Sequence, residues 1–368
     1  MSVRLARWSL HVYALPYRRE IVWANAVERQ GLFALFTLTG DNGARGVAEA
    51  TIKPTWSGVS PTSLKATLAD VLMPRLEGVD VSSPAAVAAA LAGVPENRFA
   101  KGLIDTAAWT LQAATRGEPL WRTWGGTREV DLTWAVTRQA PTKMATEAEE
   151  VCSRYGFRTL KVKGGQGVET DLAAMRAIRA AVGDAVELYV DANSAYPREA
   201  AAEYVAAIAA AGATVAEDPC PLWPDDTFDK LQAGSPIPLL VDRNCTSVED
   251  AQAFLDRGAR GLSTKPGRIG LSAARAIAEL AAARGTRVAI GLYGESALGT
   301  LISLQQAAAL PRALALVAAE QTFFLEMTAQ VLGSVPAIAE GRLQLPAVAD
   351  LAGLIDPDAV ERYRVGGA

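Results

Sequence analysis

The sequence predicts an α/β protein in two parts: a small α+β unit over residues 1–125, then a β/α barrel over residues 126–334. Three observations carry this. The texture changes near residue 125, from long strands and separate helices to a regular alternation. About eight short apolar runs then alternate with helical stretches, which calls for parallel strands and crossover helices. The first of these units holds no dinucleotide-binding glycine fingerprint, so a closed barrel is favoured over an open doubly wound sheet.

In chain order, "SLHVYAL" and "LFALFTLTGDNGARGVAEATI" read as strands, the latter hinged at Asp41-Asn42-Gly43. Helices follow in "SPTSLKATLADVLMPRL", "SPAAVAAALAG" and "NRFAKGLIDTAAWTLQAATRG", the first two each behind a serine suited to capping. The barrel strands are "DLTWAVT", "TLKVKG", "VELYVDAN", "ATVAEDP", "PLLVDRN", "GLSTKPG", "RVAIGLYGE" and "ALALVAAEQ". Helices over 170–181, 198–211, 247–257 and 272–283 connect them. Residues 335–368 read as a return to the first part.

Composition removes several function classes. Half of the 368 residues are apolar and the formal charge is −4, so no basic stripe invites nucleic acid. No apolar run reaches the ~18 residues of a membrane span, and the N-terminus lacks a signal-type core, so a cytoplasmic protein off the membrane is expected. Three cysteines without CxxC spacing suggest neither a disulfide framework nor structural zinc. The single histidine, His11, lies in a strand and reads as structural, which leaves little room for triad chemistry.

The chemistry lies at the ends of the barrel strands. Lys163, Asp191, Glu217, Asp242 and Lys265 each stand where an apolar run meets a loop, spaced 28, 26, 25 and 23 residues apart. One strand-plus-helix unit separates each pair, so all five fall in one ring at the C-terminal end of the barrel. Three converging carboxylates repel unless a cation joins them, and an all-oxygen set suits magnesium, with manganese a second candidate. Lys161 shares a strand face with Lys163, and the two charges favour a neutral amine on Lys163.

At these residues the sequence resembles the enolase superfamily and its muconate lactonizing enzyme (muconate cycloisomerase) subgroup. "LKVKGG" is similar to the subgroup's KxK. "YVDANSAY", "AEDPCP" and "VDRN" are similar to its three ligand-bearing strand ends, and "STKPGRIG" to its sixth-strand lysine. "GLYGESALGT", "GDNGARGVAEA" and "LWRTWGG" resemble its seventh strand, its N-terminal hairpin and its joining turn. The resemblance implies a modified (β/α)7β TIM-type barrel under an α+β capping domain, with Mg2+ on Asp191, Glu217 and Asp242. It implies Lys163 and Lys265 as an acid/base pair supported by Lys161, with Asn193 near the substrate carboxylate. The implied step adds or removes a proton α to a carboxylate through a metal-stabilised enediolate.

One departure stands out: Arg243 replaces the Glu that usually follows the third ligand, so Lys265 is expected to lack an anionic partner and to have a cation nearby.

Substrate contacts are expected from two mobile loops, "LPYRREIVWANAV" and "TIKPTWSGVSP". Trp23, Trp56 and Tyr17 would form an apolar lid, and Arg18 or Arg19 would meet a second carboxylate. Tyr293 and Glu295, with Phe323 and Phe324, would line the far wall. The partner is a small carboxylate, and a homo-oligomer is expected. Cycloisomerisation ranks before racemisation or epimerisation, and those before dehydration. Two readings without this chemistry remain: an anion-binding barrel using "GGQG", and a family member that binds a ligand without catalysis.

Overall fold

The computed structural model describes residues 2–23 and 26–366. Its N-terminal part is an antiparallel sheet of β1 (Leu5–Val22), β2 (Val27–Gly40) and β3 (Arg45–Thr51). The β2–β3 turn falls at the predicted Asp41-Asn42-Gly43, where Gly43 takes φ +80°, a conformation that costs glycine little. One face of the sheet packs on the helix Arg98–Arg116, where Phe36, Ala48, Leu103, Ile104 and Leu111 share a core. Ser60 and Ser83 cap the helices Pro61–Ala66 and Pro84–Leu91, as their positions suggested.

The expected loop over residues 15–27 is mostly strand. β1 continues to Val22 and β2 resumes at Val27, paired as a ribbon. Ala24 and Asn25, part of that expectation, lie outside the described residues. Alternation in this ribbon decides which side chains face inward. Tyr17 is buried, whereas its neighbour Arg18 is exposed.

The second part is a curled sheet of seven parallel strands in sequence order: β4 (Trp134–Val136), β5 (Thr159–Lys163), β6 (Glu187–Asp191), β7 (Ala213–Glu217), β8 (Leu239–Val241), β9 (Gly261–Thr264) and β10 (Arg287–Ile290). The eighth run, "ALALVAAEQ", is not a regular strand. It touches its neighbours at single bridges, Val288–Ala315 and Leu132–Ala319, and these join the two edges. Leu316 N–H donates to Val288 O at 2.8 Å, and Thr133 N–H to Ala319 O at 2.8 Å. The interior is packed: Tyr189, Val215, Leu240, Ala289, Leu316 and Val317 form a core of their own. This apolar plug shuts the barrel beneath its C-terminal rim.

Two features tie the parts together. Glu49, from the hairpin's GVAEA, is buried at the N-terminus of the helix Ala297–Ala309. Its Oε1 accepts the N–H groups of Ser296 at 3.1 Å and Gly299 at 3.2 Å, and its Oε2 accepts the Ser296 and Tyr13 hydroxyls. Near the other end of the chain, Val365 N–H donates to Val12 O at 3.0 Å, and Tyr363 O accepts from Ala14 N–H at 2.9 Å.

Candidate active site

Strand register brings the acids into one row. Lys163 pairs with Asp191 across β5–β6, and Asp191 with Glu217 across β6–β7. Glu217 faces Leu240, so Asp242, two residues on, lies on the same side just beyond β8. Lys265 follows β9 directly. All five belong to the rim above the plug.

Lys161 shows why a buried ammonium is tolerated here. It is 1% exposed, and its Nζ stands 3.1 Å from Asp191 Oδ2, 2.7 Å from Glu217 Oε2 and 2.9 Å from Glu320 Oε2. Burial works to lower its pKa, but Glu217, Glu320 and Asp191 outweigh burial and raise it well above the ordinary value. Lys161 therefore stays charged.

Lys163 has the opposite balance. Burial first, and Lys161 second, depress its pKa against the pull of Asp191, whose Oδ2 is 2.6 Å away. The expected neutral-leaning amine agrees with this direction, though burial contributes more than the neighbouring charge.

The three acids differ among themselves. Asp191 is held well below the carboxylate range: Lys163 and Lys161 overcome its burial. Lys265 and Arg268 overcome burial at Asp242 in the same way. Glu217 goes up, driven by burial and then by Asp191.

Lys265 does not lack an anion. Its ammonium is bonded to Asp242 itself. Arg243 points to solvent, and only its N–H engages the cluster, donating to Asp218 Oδ2 at 2.8 Å. The nearby cation is instead Arg268, with Nη2 at 3.6 Å from Asp242 Oδ1.

Loops behind the acids hold them firmly. Asn193, Ser194 and Asp218 all take positive φ, 49°, 61° and 38°, which is uncommon for non-glycine residues. Asn193 Nδ2 donates to Asp191 Oδ2 at 3.0 Å, and its Oδ1 accepts from Arg138 Nη2 at 3.0 Å. Asp218 accepts the N–H of Asp242 at 3.1 Å.

The Gly164-Gly165 pair after Lys163 also has a reason. A Cβ on Gly164 would stand 2.8 Å from Asp171 Oδ2, and Gly165 sits at φ +82°. Asp171 accepts Gly165 N–H at 2.7 Å and Gln166 N–H at 3.1 Å. The anion in the "GGQG" cradle is this protein carboxylate, which removes the anion-binding reading of that loop.

On the capping side, aromatic rings form a wall over the rim. Trp23 and Trp56 meet edge to face at 5.0 Å, Trp23 meets Phe323 at 5.1 Å and Trp56 meets Tyr293 at 5.3 Å. Tyr17 packs on Phe323 at 5.5 Å. A cleft of about 480 Å³ opens beside Trp56, Tyr293 and Arg268.

Arg18 does not join this wall. Strand alternation turns it outward, where its Nε donates to Leu325 O at 2.8 Å. Arg19 is locked to Glu147 and Glu326, both at 3.0 Å. Glu295 folds back on its own loop: its Oε2 accepts Tyr293 N–H at 2.7 Å and its Oε1 faces Gly267.

Four residues escaped the sequence reading. Glu320 ends the eighth run and completes the ring beneath Lys161, with Tyr189 donating to it at 2.7 Å; the repeat spacing could have found it. Arg138, Asp218 and Lys53 lie on loops or strand ends that carry no such period.

Comparison with known proteins follows the same outline. Residues 143–354 match the Enolase C-terminal domain-like family, and residues 12–125 match the mandelate racemase / muconate lactonizing enzyme N-terminal domain. Muconate cycloisomerase 1-2 of Acinetobacter lwoffii is 30% identical over 67% of this chain and 66% of its own length. An o-succinylbenzoate synthase of Geobacillus kaustophilus is 33% identical over 68% of this chain and 64% of its own. A crystal structure of muconate lactonizing enzyme from Pseudomonas fluorescens complexed with muconolactone superposes with a TM-score of 0.91 at 26% identity, covering 99% of this chain and 100% of that one. The capped barrel thus has its counterpart in a known lineage, and the chain belongs to the enolase superfamily, with the N-terminal domain of its mandelate racemase / muconate lactonizing enzyme branch.

Proposed function

We propose that this chain is a Mg2+-dependent isomerase of the muconate cycloisomerase type, moving a proton at the carbon α to a substrate carboxylate. One observation carries the reading: an amine stands on each flank of the acid row, Lys163 beside Asp191 and Lys265 beside Asp242.

The donor set fits a divalent ion. Asp191, Glu217 and Asp242 offer only hard oxygens. Asp242 Oδ1 is buried and accepts no hydrogen bond, and Glu217 Oε2, also buried, meets only the Lys161 ammonium at 2.7 Å. As the side chains stand, no three His, Cys, Asp or Glu residues among those described are gathered tightly enough to chelate, and Lys163 and Lys265 pair with Asp191 and Asp242. When bound, such an ion supplies positive charge to the substrate carboxylate and stabilises negative charge that develops there.

The residues of the chain do the rest. Lys161 stays an ammonium and holds Asp191, Glu217 and Glu320 in place. Asn193, oriented by Arg138, fixes the outer edge of Asp191. In cycloisomerisation, one carboxylate oxygen of the diacid adds to a carbon–carbon double bond. The electron pair moves onto the carbon α to the other carboxylate, and a lysine ammonium delivers a proton there. Lys163 and Lys265 are the two candidates, one for each face.

The test is incubation with Mg2+ and cis,cis-muconate in D2O. A muconolactone carrying one deuterium is expected; neither lactone nor exchange would overturn the reading. A racemase or epimerase is the second reading, because opposed lysines suit proton removal on one face and return on the other. It predicts α-deuterium with inversion on an N-acyl amino acid or a dipeptide, and no lactone.

A further inference from the structure

The two capping segments over the rim, residues 15–27 and 51–61, carry three cations among their described residues: Arg18, Arg19 and Lys53. Arg18 is turned outward, and Arg19, on Tyr17's side of the strand, is tied up by Thr137, Glu147 and Glu326. Lys53 is the third. It follows β3 in "TIKPTW" and is 3% exposed. Its carbonyl accepts the N–H of Trp56 at 2.9 Å and of Ser57 at 3.0 Å, so a helical turn fixes its backbone.

The stem of Lys53 runs over the far wall. A Cβ built on Gly294 would lie 3.5 Å from Lys53 Cε and 3.8 Å from the Phe323 ring. The loop containing Gly294 is tied to the acid row: Leu292 N–H donates to Glu320 Oε2 at 3.1 Å, and Glu320 holds Lys161. The ammonium emerges between two indoles, 4.0 Å from the Trp23 ring centroid and 4.7 Å from that of Trp56. Its carboxylate partner is Glu28, bonded to it and to Trp23 Nε1 at 2.8 Å. The Glu28 side chain is 27% exposed, so water already competes for that carboxylate.

We propose that Lys53 reads the second carboxylate of a dicarboxylate substrate, which displaces Glu28 from the ammonium when it binds. This rests on the proposed function, which puts the reacting carboxylate at the acid row. A diacid with a flat unsaturated spacer then spans from the rim to the capping wall, its spacer against the indoles. The second negative charge meets a cation already stripped of water, where an ion pair counts for more than at a surface. A monoacid leaves Lys53 with Glu28 and gains nothing from it.

The experiment uses the full chain with Mg2+ and two probes, cis,cis-muconate and its monomethyl ester. Turnover is followed as lactone formation, and binding as quenching of tryptophan fluorescence. Lys53→Met should raise both KM and Kd for the diacid about 30-fold, with kcat within about threefold and the ester almost unaffected. Lys53→Arg should restore most of the affinity. Glu28→Gln, which keeps the buried lysine in place, should tighten diacid binding severalfold; it guards against a misfolded Lys53 variant. Equal losses for diacid and ester, or no change in either, overturn the assignment of Lys53. If the wild type binds muconate through Lys53 but converts none, recognition stands and the cycloisomerase reading falls. If the wild type converts muconate and Lys53→Met does so equally well, the reverse holds. If muconate is neither bound nor converted, both fall.

Discussion

The rim of the barrel and the wall above it use the same chemical groups in different ways. At the rim, strand register places a lysine and two carboxylates and the closing segment adds a third: Lys161 reaches Asp191, Glu217 and Glu320 at once. In the wall, a lysine and one carboxylate lie on a ribbon and a loop, with Lys53 bonded to a partly exposed Glu28. The first arrangement leaves its ammonium no freedom. The second holds its ammonium by a partner that a ligand can replace. Rigidity belongs where a proton moves, and exchangeable partners belong where a substrate is chosen.

Four substitutions test this contrast, in order of expected effect. Lys163→Ala removes an amine that the proposed function places at the reacting carbon, and general acid–base groups contribute roughly 10²–10⁴-fold. A fall in kcat of that size is expected, with KM little moved; steady-state kinetics on muconate checks it. A loss below tenfold would mean that Lys265 alone moves the proton. Lys161→Met tests rigidity. It leaves three buried carboxylates without their shared cation, and breaking such a cluster costs about 3–5 kcal/mol. Urea unfolding should show that loss, whereas Lys53→Met should shift the midpoint far less.

Glu295 sharpens the comparison through pH. Burial is the main cause that raises its carboxyl from the ordinary 4.5 to about 7. The folded state therefore holds the proton more tightly than the unfolded chain does. The contribution of Glu295 to stability is most favourable below about 4.5, falls as pH climbs through the window up to about 7, and stays lower above it. The shift corresponds to about 3 kcal/mol. Glu295→Gln should raise the melting temperature at pH 8, leave it nearly unchanged at pH 4.5, and flatten the profile between. An unchanged profile would mean that Glu295 is solvated in the folded state.

What the sequence made legible follows the same division. The ring at the rim obeys a period of one strand plus one helix, so Lys163, Asp191, Glu217, Asp242 and Lys265 could be aligned by counting. Glu320 obeys the same period and was missed only because its run is an irregular closing segment. The wall has no period. Whether Arg18 or Tyr17 faces inward depends on the loop being extended strand, and between Pro16 and Ile21 that strand leaves its register with β2, Tyr17 bridging Met327 instead. Arg243 was misjudged for a related reason: adjacency to Asp242 in sequence says nothing about direction, and its side chain leaves the site while Arg268, 26 residues after Asp242, donates to Asp242 O. Charges set by tertiary neighbours, such as the raised Glu217, are likewise invisible before the fold is known.

The smallest effect is expected from Trp56, and it separates the wall's two jobs. Trp56 is 37% exposed and touches both Trp23 and Tyr293. It bridges the capping segments to the loop after β10 and covers one side of the Lys53 ammonium. Trp56→Ala removes ring contact but no charge. If the wall works by enclosing an unsaturated spacer, KM for muconate and for its monomethyl ester should rise together by roughly tenfold, the order of one aromatic pair. Because Lys163 and Lys161 are fixed from below by β5 and β6, kcat should stay within about threefold. A rise confined to the diacid would show that Trp56 acts through Lys53, by keeping its ammonium dry. A fall in kcat as large as that of Lys163→Ala would break the comparison itself, because the wall would then be part of the proton-transfer geometry and no longer only a means of choosing the substrate.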